Sequence, residues 1–276
     1  MERSTMTFDR FVFSPPGSWP LEQAVDWASA HRFTRVDFNA DGPANYPQTF
    51  DADRLARVRA QAERAGVTLG IHTSSAVNMA EITPVMAAAA DAYVEQNLKL
   101  AAALGCDHVV CHGGFHFTTD YEARAEAGLA RMSRAAEMAE SLGVDVYFEN
   151  HNWEPEHAEI HYLPHTVAEF RPFVERITSP RFKWAANVGH ALLVQDGFDG
   201  FLDAFGVARI GHVRLHDTHG NYEEHLLPGQ GIVDFKALFG KLSRLGYRGP
   251  FTLDFGSPDQ RASWRDTFAD WLAASG

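Results

Sequence analysis

Apolar positions along this chain follow two alternating rhythms. Short runs rich in β-branched and aromatic residues read as strands over 7–14 (TFDRFVFS, closed by Pro15-Pro16-Gly17), 35–40, 68–73, 108–114, 145–151, 182–190, 210–217 and 250–255. Between them, apolar residues spaced three and four apart predict helices over 21–32, 52–65, 82–104, 120–143, 166–177, 198–205, 234–245 and 259–274. Asp51 and Asp120 stand where N-caps belong, and Gly66, Gly105 and Gly143 where helices stop. No hairpin signal separates any two strands. Strands joined through helices must pair in parallel, because the crossover returns the chain to the same edge. Eight such units predict an α/β fold, a closed (β/α)8 TIM barrel. The competing open doubly wound sheet would carry a G-x-G-x-x-G turn after its first strand, and that turn is absent.

Composition narrows the picture without changing it. The chain has 276 residues, 45% of them hydrophobic, and no Pro/Ser-rich or low-complexity stretch to act as a linker. The expectation is one domain over 1–276. No apolar run approaches the ~18 residues of a membrane span, and the N-terminal MERSTMTFDR lacks a signal-peptide apolar block. The two cysteines, Cys106 and Cys111, fit neither a metal pair nor a C-x-x-C and read as reduced core residues. Cytoplasmic residence is expected. A net charge of −12 argues against a phosphate-backbone partner. The expected partner is a small molecule, with no nucleic acid and no membrane; a homo-oligomer stays open.

Chemistry gathers where the predicted strands end. Asp37, His72, His112, Glu149 with Asn150, Asn187 with His190, Arg214 with His216, and Asp254 mark seven of the eight strand ends. In a barrel these ends converge on one mouth. The densest stretch is 210–234: Ile210, Val213 and Leu215 form an apolar strand, then Arg214, His216, Asp217, His219, Glu223, Glu224 and His225 crowd together before a Gly229/Gly231 turn. Glu149 and Asp254 could supply a base and an acid flanking one carbon. The loop 151–165 adds His151, Trp153, His157, His161, Tyr162 and His165, groups suited to stack on a sugar face and donate to its hydroxyls.

Several of these pieces together resemble one family. Strand five holds F-E-N, strand six N-V-G-H, strand seven H-V-R-L-H-D followed by E-E-H-L-L-P-G-Q-G-I-V-D, and strand eight L-D-F. They resemble the xylose-isomerase-like TIM barrels: sugar isomerases and epimerases, inosose and dehydroshikimate dehydratases, and AP endonucleases of the endonuclease IV type. The resemblance implies a divalent metal (Mn, Mg or Zn) held by Glu, Asp, His and Glu from strands five to eight, the two Glu also moving the proton. Glu149 keeps its place and Asp254 shortens the second acid. Asn187 replaces the Asp, and Arg214 replaces the His.

Losing one carboxylate and gaining one guanidinium shifts the centre by about +2, the charge of the ion itself. Arginine offers a metal no lone pair. The expectation is therefore no metal at the centre, with Arg214 polarising a carbonyl or enediolate oxygen and Glu149 and Asp254 as acid and base. If an ion persists, Glu149 and Asp254 would hold it. The resemblance also matches His72, His112 and Glu149 to one outer zinc of the endonuclease type, and His190, Glu223 and His225 to another. The reading adopted here is that His72, His112, Asn187, His190, His216, Trp153, Glu223 and His225 bind substrate hydroxyls. The chain thus reads as an isomerase or epimerase acting by proton abstraction next to a carbonyl. The alternatives are a dehydratase of a keto-sugar or inosose, a non-catalytic sugar-binding barrel, and a metal-dependent AP endonuclease.

Overall fold

Three helices end where a glycine takes left-handed backbone: Gly66, Gly105 and Gly143, at φ 64°, 75° and 75°. A side chain there would be strained, so the glycine lets the chain turn back into the next strand. The computed structural model describes residues 7–275. Its strands are β1 (Phe11–Phe13), β2 (Arg35–Asn39), β3 (Thr68–His72), β4 (His108–Cys111), β5 (Asp145–Glu149), β6 (Phe182–Asn187), β7 (Ile210–Leu215) and β8 (Phe251–Leu253). Each pairs in parallel with its sequence neighbours, and β8 closes on β1 with Phe251 opposite Phe11. The expected closed barrel is present. Helices α1 (Leu21–Ala30), α2 (Ala52–Ala65), α3 (Pro84–Leu104), α4 (Tyr121–Leu142), α5 (Val167–Arg176), α6 (Gly197–Phe205), α7 (Phe235–Arg244) and α8 (Pro258–Ala273) fill the connections.

The greater part of the apolar core lies outside the barrel wall, between strands and helices. Phe11, Phe33, Phe148, Phe170, Trp184, Phe201, Phe239 and Phe268 are fully buried there. Each such side chain contributes about 1.5–3 kcal/mol by leaving water. The lumen is different. Strand residues two apart share a face, and the inward faces carry Asp37, His108, Tyr147, Glu149, Asn187, His212, Arg214 and Thr252 beside only small apolar groups such as Val110 and Ala185. Cys106 and Cys111 are buried and unpaired. Among the described residues no helix is long and apolar enough to cross a membrane.

The strands are shorter than their apolar runs suggest. Residues 7 and 8 belong to a helical turn, so β1 begins only at Phe11. The sixth strand stops at Asn187 rather than 190, because the Asn187 side chain accepts from the His190 N–H and caps a helical turn over Val188–Ala191. Asp51 caps α2 as expected, accepting from the Arg54 N–H. Asp120 does not cap α4: it accepts from the Phe117 N–H and pairs with Arg124 at 2.6 Å. The absence of antiparallel signals also needs correction. Phe115–Phe117 and Ile160–Tyr162, in the loops after β4 and β5, form an antiparallel ribbon, with His116 opposite His161.

Candidate active site

Strand alternation delivers the central groups. Arg214 lies on the lumen face of β7, opposite Asn187 on β6 and Thr252 on β8. Glu149 closes β5, His72 closes β3, and Asp254 follows β8. The Arg214 guanidinium sits between the two acids: Nη2 donates to Asp254 Oδ2 at 2.5 Å, and Nε lies 3.4 Å from Glu149 Oε1. Nε and Nη1 are buried and lack a hydrogen-bond partner among the described residues. The two carboxylates therefore face one another across a single cation, two of whose nitrogens hold unused donors.

Electrostatics fixes the charge states. Burial works to raise the Glu149 carboxyl, but Arg214 and the hydrogen bonds of His112 and His72 hold it well below the usual carboxylate range. Asp254 behaves alike: burial is outweighed by Arg214, His225, His216 and His72. Burial also opposes the Arg214 charge, yet Asp254, Glu149 and Asp37 keep it protonated. The centre is an ionised acid–guanidinium–acid array.

Imidazoles surround it. Glu149 Oε2 lies 3.3 Å from His72 Nε2 and 3.5 Å from His112 Nε2. Its Oε1 accepts from Asn187 Nδ2 at 2.8 Å. With its amide so oriented, Asn187 offers Oδ1 to His216 Nε2, 2.9 Å away, so that nitrogen carries the proton. Burial and Arg214 push His72 down to about 4, and burial with His225 and His190 pushes His216 down to about 3. Both rings are neutral donors and acceptors. On the outer side Glu223 Oε1 lies 3.3 Å from His190 and 3.2 Å from His225, whose Nδ1–H donates to the Asp254 carbonyl at 2.7 Å. Burial disfavours a charged His225, but Glu223 and Asp254 raise it to about 9.

Glu149, Arg214 and Asp254 thus converge with His72, His112, Asn187, His190, His216, Glu223 and His225, and Trp153 stands apart. Trp153 lines a side cleft of about 290 Å³ with His116, Tyr121, Glu154, His161 and His165. From the same loop, His151 and Tyr162 turn inward and stack at 4.1 Å, while His157 is exposed. Asp37 is also displaced from its expected place. Because β2 runs on to Asn39, Asp37 points into the lumen below the mouth, 2.9 Å from His108 Nε2.

Two organising residues carried no assigned role in the sequence reading. Asn150 Oδ1 accepts from Trp184 Nε1 and the Asn187 N–H, and its Nδ2 donates to the Asn187 carbonyl, tying β5 to β6. Asp217 accepts from the backbone N–H groups of Thr218, Gly229, Gly231 and Val233 and folds the loop that carries Glu223 and His225.

The central position does not fit a divalent ion. Asn187 turns an N–H toward Glu149, and a guanidinium without a lone pair stands between the acids. Outside it, three groupings have donor atoms within 4.8 Å of one another: His72, His112 and Glu149; His190, His216 and His225; and Asp37, His108 and His212.

The model of a family described as "Xylose isomerase-like TIM barrel" matches residues 25–274. An L-ribulose 3-epimerase of Methylomonas sp. (strain DH-1) is 26% identical over 196 residues, 69% of this chain and 64% of that enzyme's own length. A ketose 3-epimerase of Arthrobacter globiformis is 26% identical over 253 residues, covering 86% of this chain and 81% of the enzyme. Among solved structures, a D-tagatose 3-epimerase-like protein superposes with a TM-score of 0.84 at 20% identity, over 96% of this chain and 98% of that one. At that identity the superposition speaks for the fold alone.

Proposed function

Since the chain belongs to the xylose isomerase-like TIM barrel family, we propose that it epimerises a small, unphosphorylated ketose at the carbon next to the carbonyl. The observation that carries this reading is the buried Arg214, held between Glu149 and Asp254 with two nitrogens still unpartnered. Ketose and ribulose 3-epimerases among the relatives favour the same chemistry.

The carbonyl oxygen accepts from the free Arg214 N–H. One carboxylate takes the proton from the neighbouring carbon, and the bonding pair moves into the carbon–carbon double bond and onto that oxygen. Arg214 balances the developing charge, as a preorganised donor does. The other carboxylate gives a proton to the opposite face, so it must hold one when substrate is bound. Substrate supplies that condition: it draws on the Arg214 charge that holds both acids low and expels water, which favours the neutral form of one acid. His72 and His112 on one side, and His190, His225 and Glu223 on the other, bind hydroxyls. No step passes through a metal.

The test is deuterium uptake from D2O into a panel of unphosphorylated ketoses and inososes, followed by NMR. Exchange at one carbon with appearance of the epimer supports the proposal. Loss of water from the substrate, or saturable binding without exchange, overturns it.

A further inference from the structure

The lumen holds a second group of metal-type donors below the mouth, on parts of β2, β4 and β7 that the proposed reaction does not use. Asp37, His108 and His212 are 2%, 3% and 0% exposed, and one donor atom from each lies within 4.8 Å of the others. His108 Nε2 is 2.9 Å from Asp37 Oδ1, yet the two are not aligned as a hydrogen bond and the nitrogen is left without a partner. His212 Nδ1 is 3.4 Å from Asp37 Oδ2, and its Nε2 is also buried without a partner. An unsatisfied buried polar atom costs about 1–3 kcal/mol. His108 turns Nε2 and His212 turns Nδ1 toward the Asp37 carboxylate, so one imidazole nitrogen from each ring and one carboxylate group meet at the same place.

The surroundings orient these donors. His108 Nδ1 lies 2.5 Å from Asp107 Oδ1, a contact in which the ring's far nitrogen is fixed by a carboxylate while Nε2 faces inward. Metal-bound histidines are commonly held this way. Tyr147 stacks on the His108 ring at 4.2 Å. Thr252 Oγ1, 3.1 Å from His212 Nδ1, is a further oxygen at the same place. Space comes from Gly70, where a Cβ would overlap both the His108 ring and Asp37 Oδ1.

We propose that Asp37, His108 and His212 bind one divalent first-row transition ion, zinc by donor type, sealed inside the barrel beneath Arg214. The ion is structural. It ties β2, β4 and β7 together two residues below the guanidinium on β7.

Anomalous X-ray diffraction at the zinc edge, on crystals of the full chain expressed with zinc and purified without chelator, locates the ion directly. A peak among Asp37, His108 and His212 is expected. No peak, or a peak only at the mouth, overturns the inference. The proposed epimerase chemistry fails separately, through an ion between Glu149 and Asp254 or through absence of exchange. Elemental analysis supplies a second readout: about one equivalent of zinc kept in the double variant His72→Ala/His112→Ala and lost in His108→Gln. Retention in His108→Gln overturns the inference as well.

Discussion

Two layers of one lumen use the same residue types to opposite ends. In the upper layer, Glu149 and Asp254 grip Arg214, and the surrounding imidazoles and acids reach solvent: the side chains of His72, Glu223 and His225 are 25%, 40% and 40% exposed. In the lower layer, Asp37 meets His108 and His212 with almost no exposure. Charge is buried in both places and held there by its partners, and only the upper layer can be visited by a molecule from outside. Charge in a barrel becomes chemistry where the strands end, and scaffold a few residues lower.

The layers should therefore respond differently to substitution. Glu149→Gln should lower kcat by about 10²–10⁴ with little loss of stability, because Asp254 still pairs with Arg214; steady-state rates and a melting curve on the same sample measure both. Arg214→Lys keeps the charge but loses the fork, and kcat should fall by about 10²–10³. In the lower layer the order reverses. Asp37→Ala strips His108 and His212 of their shared carboxylate and should cost about 3–5 kcal/mol in denaturant unfolding while leaving kcat of the folded fraction near wild type. Back in the upper layer, Gly189→Ala pushes a methyl into the His216 ring; overpacking of this kind costs about 1–3 kcal/mol, measurable in the same unfolding assay.

The smallest effect concerns Glu154, beside the mouth. Burial raises its carboxyl to about 7 from an ordinary 4.5. The folded form thus prefers the protonated acid, and that contribution is complete below 4.5 and lost as pH rises through 7. Glu154→Gln should flatten this decline, a change of at most a few degrees in Tm, read by melting at several pH values.

The barrel was legible because its signals are local. Period-two strands, period-three-and-four helices and the stops at Gly66, Gly105 and Gly143 are each written within a few residues. The mouth followed from the same alternation, since strand ends converge. What escaped depended on distance. The ribbon of Phe115–Phe117 with Ile160–Tyr162 joins short segments separated by α4 and β5, too far apart for a turn signal. Asp37 was assigned to the mouth although it stands two residues before Asn39, where β2 ends, and two residues are one full step along the lumen. His108 and His212 had a readable signal that went unused. They share inward faces with His112 and with Arg214 and His216, at positions 108 and 112 and at 212, 214 and 216.

Asp217 has a wider consequence. One carboxylate receives the main-chain N–H groups at 218, 229, 231 and 233, so both ends of the excursion bearing Glu223 and His225 are drawn to the same clasp. Gly231 must stay bare, since a methyl there would strike the Thr218 carbonyl and Asp217 itself. The stretch between 219 and 228 is closed at its base, where Leu226 pairs back onto the Asp217 backbone. Its His225 donates to the Asp254 carbonyl, so the pose of the loop is handed directly to the acid that follows β8.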